Sequence, residues 1–347
     1  MVSFKSLTGA ISKLDNFNNW IRLLCILLVV AYVLSLGAAY FWVFDLFRHF
    51  LLQYALLAFV FVLLGLARKL WPCVLAMIVL CGLCGYEIIS RIDYIPPPTA
   101  EALAEPDLLK VITYNRHHSL TSHQEMVDFI KVENPDIFFI LEANETHAEA
   151  LKKDMKEAYA YQLLFPKENA FGMVAASRHP FKSKSVTFSQ IIVKSGLKNF
   201  ILIAKIQIKG FAPVSFYALH APPPLRSWFF EQRNAELDHA ASIINYNHKD
   251  RNSNIVLLGD WNITPYSPFF TRLLEQTGFK NQTTSRFFLP TWPAQYYSFF
   301  QIPIDHILHR GRMTLIDKRR GPSLGSDHHA VVAVYRLDPV AQKKNDP

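Results

Sequence analysis

Asn115, Glu142, His220, Asp260, Asn262, Asp305, Asp327 and His328 each stand where a predicted strand begins or ends. Their types suit hydrolysis of a phosphate ester. That reaction needs a cation to neutralise phosphate oxygens, a base to orient and activate water, and donors for the charge that builds in the transition state. Glu142 and Asn115 are hard oxygen donors of the kind Mg²⁺ accepts, an ion that keeps several waters and takes one or two carboxylates. Asp260, in Gly259-Asp260-Trp261-Asn262, is placed to be the base for water, and Asn262 to give an amide hydrogen to the phosphate. His328 suits an imidazolium donor or general acid, with Asp305 to fix its tautomer and raise its pKa. His220 is a second donor to the phosphate.

Taken singly, each has a plainer explanation. Asn115 reads as a turn residue, Glu142 as a surface or capping carboxylate, and Gly-Asp-Trp-Asn as a turn. His220 reads as the lead into the rigid Pro222-Pro223-Pro224 loop, and Asp327-His328 as a strand cap. The shared position at strand ends is what argues for one site. Leu108–Tyr114 and Asp136–Leu141 are short, apolar and β-rich, with a helix predicted over Gln124–Glu133. Further strands are predicted at Phe171–Ala176, Phe200–Ile208, Val214–Leu219, Asn254–Leu258 and Ala330–Tyr335. Helices are predicted from Ser227, as cap, to about Tyr246, and over Ser267–Thr277, ended by Gly278. Many strands with few helices predict an α/β sandwich rather than a doubly wound sheet.

These elements occupy only part of the chain. Of 347 residues 51% are hydrophobic, and the mean hydropathy is +0.13. The excess is concentrated at the start: residues 1–100 hold 7 of the 36 Lys and Arg and 4 of the 28 Asp and Glu. Three stretches there, Leu23–Phe44, Phe50–Ala67 and Leu70–Tyr86, approach the roughly 17–25 helical residues that cross a bilayer. The last two read as a tight hairpin turned at Arg68–Lys69 and Pro72. Lys5, Lys13, Arg22, Arg68 and Lys69 mark the tail and second loop as the inner side. The chain beyond the third span is then expected outside the cytoplasm, in the periplasm of a Gram-negative bacterium. All four cysteines lie in this first part. Cys81-x-x-Cys84 reads as helix packing before zinc or redox chemistry. The later region has neither a disulfide nor a cysteine nucleophile. The expected organisation is a membrane anchor over residues 1–93, a Pro-rich linker over 94–106, a catalytic domain over 107–338 and a tail over 339–347.

The net charge of +8 suits anionic partners without choosing one. Arg319-Arg320 and Arg310/Arg312 are candidates to steer an anion. The aromatic stretch Phe287-Phe288, Trp292, Tyr296-Tyr297 and Phe299-Phe300 can stack bases, dip into lipid or pack as core; core packing is the best single expectation.

The sequence resembles the endonuclease/exonuclease/phosphatase family across about residues 107–337. The resemblance rests on Val111-Ile112-Thr113-Tyr114-Asn115, Pro135-Asp136-Ile137 running to Leu141-Glu142, Tyr217-Ala218-Leu219-His220, Leu258-Gly259-Asp260-Trp261-Asn262, Ile304-Asp305-His306-Ile307 and Gly325-Ser326-Asp327-His328. It implies a four-layer α/β sandwich after the three transmembrane helices, and phosphoester hydrolysis dependent on Mg²⁺ or Mn²⁺. It places Glu142 and Asn115 at the metal, Asp260 and Asn262 at water and phosphate, Asp305 beside His328, and Asp327 at the metal or phosphate. The His220 loop and Asn262-Ile263-Thr264-Pro265-Tyr266-Ser267 look like a membrane-anchored bacterial subgroup. One departure is that Arg116-His117-His118 follows the first asparagine, where many members carry a second polar metal-side residue; His117 is the candidate for that place. His306, His309 and His329 read as structural or surface residues. The substrates open to such a protein are nucleic acid, phospholipid head group and sugar phosphate, with membrane lipid as neighbour and no protein partner evident. The rival classes are a non-catalytic binding protein that keeps the fold, disfavoured by the intact acids and histidines, and a transporter or sensor, disfavoured by spans without mid-membrane charge.

Overall fold

The computed structural model describes residues 4–119, 123–188, 199–285 and 289–339. Its contacts divide the chain into two compact units, Met1–Arg91 with Tyr266–Pro268, and Ile92–Pro265 with Phe269–Pro347.

The first unit contains α1 (Phe4–Ser35), α2 (Trp42–Arg48), α3 (Leu51–Ala67) and α4 (Trp71–Ile89). Asp15–Ser35 and Trp71–Ile89 are long and apolar enough to cross a membrane. A third span exists only if α2 and α3, bent by 61° at their break, are counted as one. The expected first span, Leu23–Phe44, is therefore cut at Ser35. Residues 36–40 turn there, and a Cβ on Gly37 would come within 2.8 Å of the Phe44 ring. The expected α3–α4 hairpin is present. The chain reverses at Arg68 and Lys69, the latter at φ 55°, and Gly65 lies against Val74. Asp45 and Arg48, which the apolar spacing predicts for the loop between the first two spans, lie on a helix. Both are buried on α2, and Arg48 is ion-paired with Glu87, which also accepts a hydrogen bond from the Tyr32 hydroxyl at 2.8 Å.

The second unit is built on two sheets. The first has strands β1 (Leu108–Asn115), β2 (Ile137–Leu141), β3 (Tyr161–Phe165), β4 (Met173–Ser177), β10 (Met313–Arg320) and β11 (Val331–Leu337), in the order β10-β11-β1-β2-β4-β3. The second has β5 (Phe181–Phe188), β6 (Phe200–Ile206), β7 (Val214–Ala218), β8 (Asn254–Asp260) and β9 (Asp305–Arg310), in the order β9-β8-β7-β6-β5. Only β1–β2 and β7–β8 pair parallel within these sheets. Side chains alternate across each strand. Leu109, Val111, Phe139 and Leu141 of one sheet thus meet Phe216, Ala218, Val256 and Leu258 of the other in a shared core. The outer face of the first sheet is covered by α5 (Gln124–Glu133) and α6 (Glu145–Asp154), and that of the second by α7 (Ser227–Asn247) and α8 (Pro268–Thr277). The result is the expected four layers, α/β/β/α.

Ser227 is the first residue of α7, and its cap position is held by Arg226, with no side-chain cap bond. α8 stops, as expected, where Gly278 turns to φ +68°. The Pro-rich stretch holds a short helix, Ala100–Leu103, capped by the Thr99 hydroxyl, and Asp93–Tyr94 pairs with Gln282–Thr283. Residues 340–347 of the expected tail lie outside the described residues.

Gly259 is the backbone device that lets β8 run up to Asp260. It sits at φ +131°, and an added Cβ would be 2.0 Å from the Leu219 carbonyl oxygen. Both backbone strain and overlap penalise any side chain there. Gly259→Ala is expected to cost about 3 kcal/mol. A thermal scan of the full-length protein should then show a fall in the midpoint of this domain of roughly 6–12 °C; an unchanged midpoint would contradict the packing.

Candidate active site

Strand direction gathers the polar residues. The parallel pair β1 and β2 ends at one edge of its sheet, with Asn115 on the last position of β1 and Glu142 just past β2. The parallel pair β7 and β8 ends at the corresponding edge of the other sheet, with His220 just past β7 and Asp260 on the last position of β8. β9 and β11 run antiparallel to their neighbours and so begin at this edge. β9 opens with Asp305, directly opposite Asp260, and Asp327-His328 lies just before β11.

Two hydrogen bonds join the sheets across the edge, Asn115 to Asp260 and His328 to Asp305. The Asn115 amide nitrogen donates to Glu142 Oε1 and to Asp260 Oδ2, both at 3.0 Å. The His328 ring nitrogen Nδ1 donates to Asp305 Oδ2 at 2.9 Å, while its Nε2 lies 3.7 Å from Asp260 Oδ2. His220 Nε2 stands 3.6 Å from Asp260 Oδ2 and 3.8 Å from Glu142 Oε1. Asn262, at φ 49°, donates one amide hydrogen to the Ala221 carbonyl at 2.9 Å, which leaves the second for another acceptor. Asp327 accepts from the Trp292 indole at 3.1 Å through Oδ2, and its Oδ1 is buried without a hydrogen-bond partner among the described residues. All eight sequence-derived residues therefore reach one end of the sandwich. Glu142 holds the left-handed conformation at φ 55°, uncommon for a residue with a side chain.

The carboxylates fit a divalent cation. Glu142, Asp260 and Asp305 are buried close together, and one amide nitrogen serves oxygens of the first two. Positive charge between them would lower their mutual repulsion, and hard oxygens of this kind are what Mg²⁺ or Mn²⁺ accepts. Asp260, Asp305 and His328 also bring one ligand atom each within 4.8 Å. That trio is better explained by an acid–imidazolium pair, because Asp305 already accepts the hydrogen bond from His328 Nδ1.

The family resemblance makes His117 a candidate for the metal-side place, but its ring bonds Ser119 and stacks on His118. His118 reaches Glu142 instead, through its backbone N–H at 3.1 Å and ring Nδ1 at 3.0 Å. His306 and His309 are buried and held neutral, their pKa values pushed down to about 3 by burial, and His329 lies against the Gly321 carbonyl. Arg310 is buried on the Thr277 carbonyl and Arg319 is paired with Glu133, so neither is free to steer an anion. Sequence reasoning misses a buried polar support. Asn199 donates to the His220 carbonyl and to Glu236, Gln232 donates to Glu236, and Arg233 donates to the Asn262 carbonyl. On sequence, Gln232-Arg233-Asn234 and Glu236 look like a solvated helix face. Only the period of α7 against the apolar Leu237, Ala240 and Ala241 places them inward.

Charge is set by this packing. For Glu142, burial acts to raise the pKa, but His220, then the bonds from His118 and Asn115, outweigh it and hold it down to about 2. Asp260 is pushed up to about 6 by burial and by facing Asp305, against the pull of His328 and His220. Burial alone would neutralise His328; Asp305 and then Asp260 outweigh it and raise its pKa to about 10. A raised folded-state value means that the imidazolium's stabilisation is fully present below the unfolded value near 6.5 and lost as pH rises through about 10. The NMR titration of His328 should show a midpoint near 10 that falls in Asp305→Asn. A midpoint below 7 in the unchanged protein would contradict the pairing.

The sequence matches the Endonuclease/Exonuclease/phosphatase family over residues 112–328. No curated protein matches in sequence. Among solved structures, an endonuclease/exonuclease/phosphatase from Beutenbergia cavernae is similar at TM-score 0.53 and 19% identity, covering 68% of this chain and 73% of its own. Truncated Caenorhabditis elegans TDP2 is similar at TM-score 0.53 and 16% identity, covering 66% and 98%. Sphingomyelinase C from Streptomyces griseocarneus is similar at TM-score 0.51 and 16% identity, covering 65% and 99%. With the family matched over most of the folded domain, and every motif residue at one edge of the expected sandwich, the chain belongs to the endonuclease/exonuclease/phosphatase family.

Proposed function

We propose that this protein is a divalent-metal-dependent phosphoester hydrolase, held at a membrane by its N-terminal helices with the catalytic domain outside the cytoplasm. The observation that carries the reading is the Asn115 amide shared by Glu142 and Asp260 beside the Asp305–His328 pair. Mg²⁺ or Mn²⁺ would be held by Glu142 and by Asn115 Oδ1, the amide oxygen that in this structure accepts from the His117 N–H at 3.0 Å, and would neutralise the phosphate oxygens. Burial and the facing Asp305 raise the Asp260 carboxyl above the usual carboxylate range, which makes its ionised form a stronger base toward water. His328, kept charged by Asp305, donates to the phosphoryl oxygen or to the leaving group. His220 and the second amide hydrogen of Asn262 add donors, and Asp327 lies near enough to His328 to favour its charged form. The lysines and arginines of the tail and second loop support the orientation, and a bacterial inner membrane is the setting they suit. The substrate classes in view are nucleic acid, phospholipid head group and sugar phosphate.

The full-length protein in detergent is expected to hydrolyse a generic soluble phosphodiester with Mg²⁺ or Mn²⁺ and to stop when EDTA is added. Asp260→Ala and His328→Ala should each lower the rate about 10²–10⁴-fold, with folding checked by circular dichroism. Undiminished turnover in either folded variant would remove the site assignment. Plasmid DNA, RNA, sphingomyelin, phosphoinositides and sugar phosphates, assayed side by side, would rank the substrates.

A further inference from the structure

Core packing is the sequence-based expectation for the aromatic stretch before Asp305; Trp292 is half-buried, but the residues Tyr296–Phe300 do not pack that way. Tyr296, Tyr297, Phe299 and Phe300 are 57%, 77%, 49% and 55% exposed. Residues 293–301 carry no charged side chain. The segment is nonetheless fastened. Trp292 and Ile302 exchange backbone hydrogen bonds at its base, and Gln301 donates to the Tyr296 carbonyl at 2.7 Å. Arg320 donates to Gln301 Oε1 at 2.8 Å and to the Ser298 hydroxyl at 3.1 Å. The Tyr297 and Phe299 rings stack with centroids 5.8 Å apart, and Phe300 lies 4.3 Å from Phe299. This is an ordered apolar surface turned to solvent.

The same segment borders the site. The Ala294 N–H donates to the Asp327 carbonyl at 2.7 Å, the Trp292 indole to the Asp327 carboxylate, and the Asp305 N–H to the Thr291 hydroxyl at 3.2 Å. Whatever covers the aromatic rings is therefore held next to the catalytic edge.

We propose that Tyr296–Phe300 is a membrane-docking surface that seats this edge on a phospholipid bilayer, so that the phosphoester attacked is a lipid head group. The proposal rests on the hydrolase reading above. Phe and Tyr on an uncharged loop suit the bilayer–water boundary, where rings bury and the Tyr hydroxyls stay wet. Arg320 at the loop base bonds only neutral oxygens in its described contacts, a cation suited to lipid phosphate. A base-stacking platform needs a basic groove that follows the nucleic-acid backbone. Here Arg310 is buried, and Arg319 is paired with Glu133 and Asp317. Residues 90–107 join α4 to β1, so a bilayer crossed by α4 would tether the domain.

The test uses the full-length protein in nanodiscs of phosphatidylethanolamine and phosphatidylglycerol doped with a diazirine-bearing phosphatidylcholine. After irradiation, peptide mapping is expected to find label on the 293–301 peptide as well as on the N-terminal helices. The double variant Phe299→Ser, Phe300→Ser should lose at least tenfold of the label on that peptide. It should also lower, at least tenfold, the ratio of phospholipid hydrolysis in vesicles to soluble-diester hydrolysis. Label confined to residues 15–89, or an equal fall on both substrates, overturns the proposal. So does single-stranded DNA crosslinking to this loop where lipid does not. Loop labelling in a protein that hydrolyses no phosphoester would sink the hydrolase reading but leave the docking surface standing. Soluble-diester hydrolysis without loop labelling would do the reverse.

Discussion

The candidate site depends on one amide group that bonds across two sheets. Asn115 ends a strand of one sheet, Asp260 ends a strand of the other, and the Asn115 nitrogen joins Asp260 to Glu142. Without such a donor, two carboxylates this deeply buried would repel each other and resist ionisation. The His328–Asp305 bond crosses the same gap and sets a charged imidazole against the acids. These cross-sheet links fix the relative register of two sheets whose shared core is otherwise apolar and non-directional.

Like charges facing each other are the cost of this arrangement. Asp260 and Asp305 oppose one another in an antiparallel pair, a placement that usually destabilises a sheet. The fold offsets it with Asn115, His220 and His328, and with the second tier of buried polar groups on α7. Departures from ordinary backbone geometry gather here too: Glu142, Asn262 and Gly259 all have positive φ, and all flank the site. Strain of this kind persists where surrounding structure over-determines it, as it does at many functional sites.

Much of this is legible in the sequence. Buried strands such as Ile137–Leu141 announce themselves as short apolar runs, and the acid or amide at their ends is then visible as an exception. The four layers agree with strands outnumbering helices. Other parts are hidden for physical reasons. β5 and β10 lie outermost in their sheets and carry Lys182, Lys184, Lys318, Arg319 and Arg320, so no apolar run marks them. Gln232, Arg233 and Glu236 are polar but buried, and polarity alone reads as solvent. His118 rather than His117 reaches Glu142 because His117 takes φ 64° and turns its ring to Ser119, a local choice that spacing does not reveal. The N-terminal helices are visible as apolar length, whereas the turn after Ser35, where an added Cβ on Gly37 would meet the Phe44 ring, interrupts no apolar run.

A centre organised in this way should bind a cation through Glu142 and have little need of His328 to do so. The direct measurement is Mn²⁺ binding to the full-length protein, followed by electron paramagnetic resonance as free Mn²⁺ is depleted. The unchanged protein and His328→Gln should take up Mn²⁺ comparably, while Glu142→Gln should bind at least tenfold more weakly. Equal uptake by Glu142→Gln, or none by the unchanged protein, would contradict a cation-requiring centre at the Asn115 bridge.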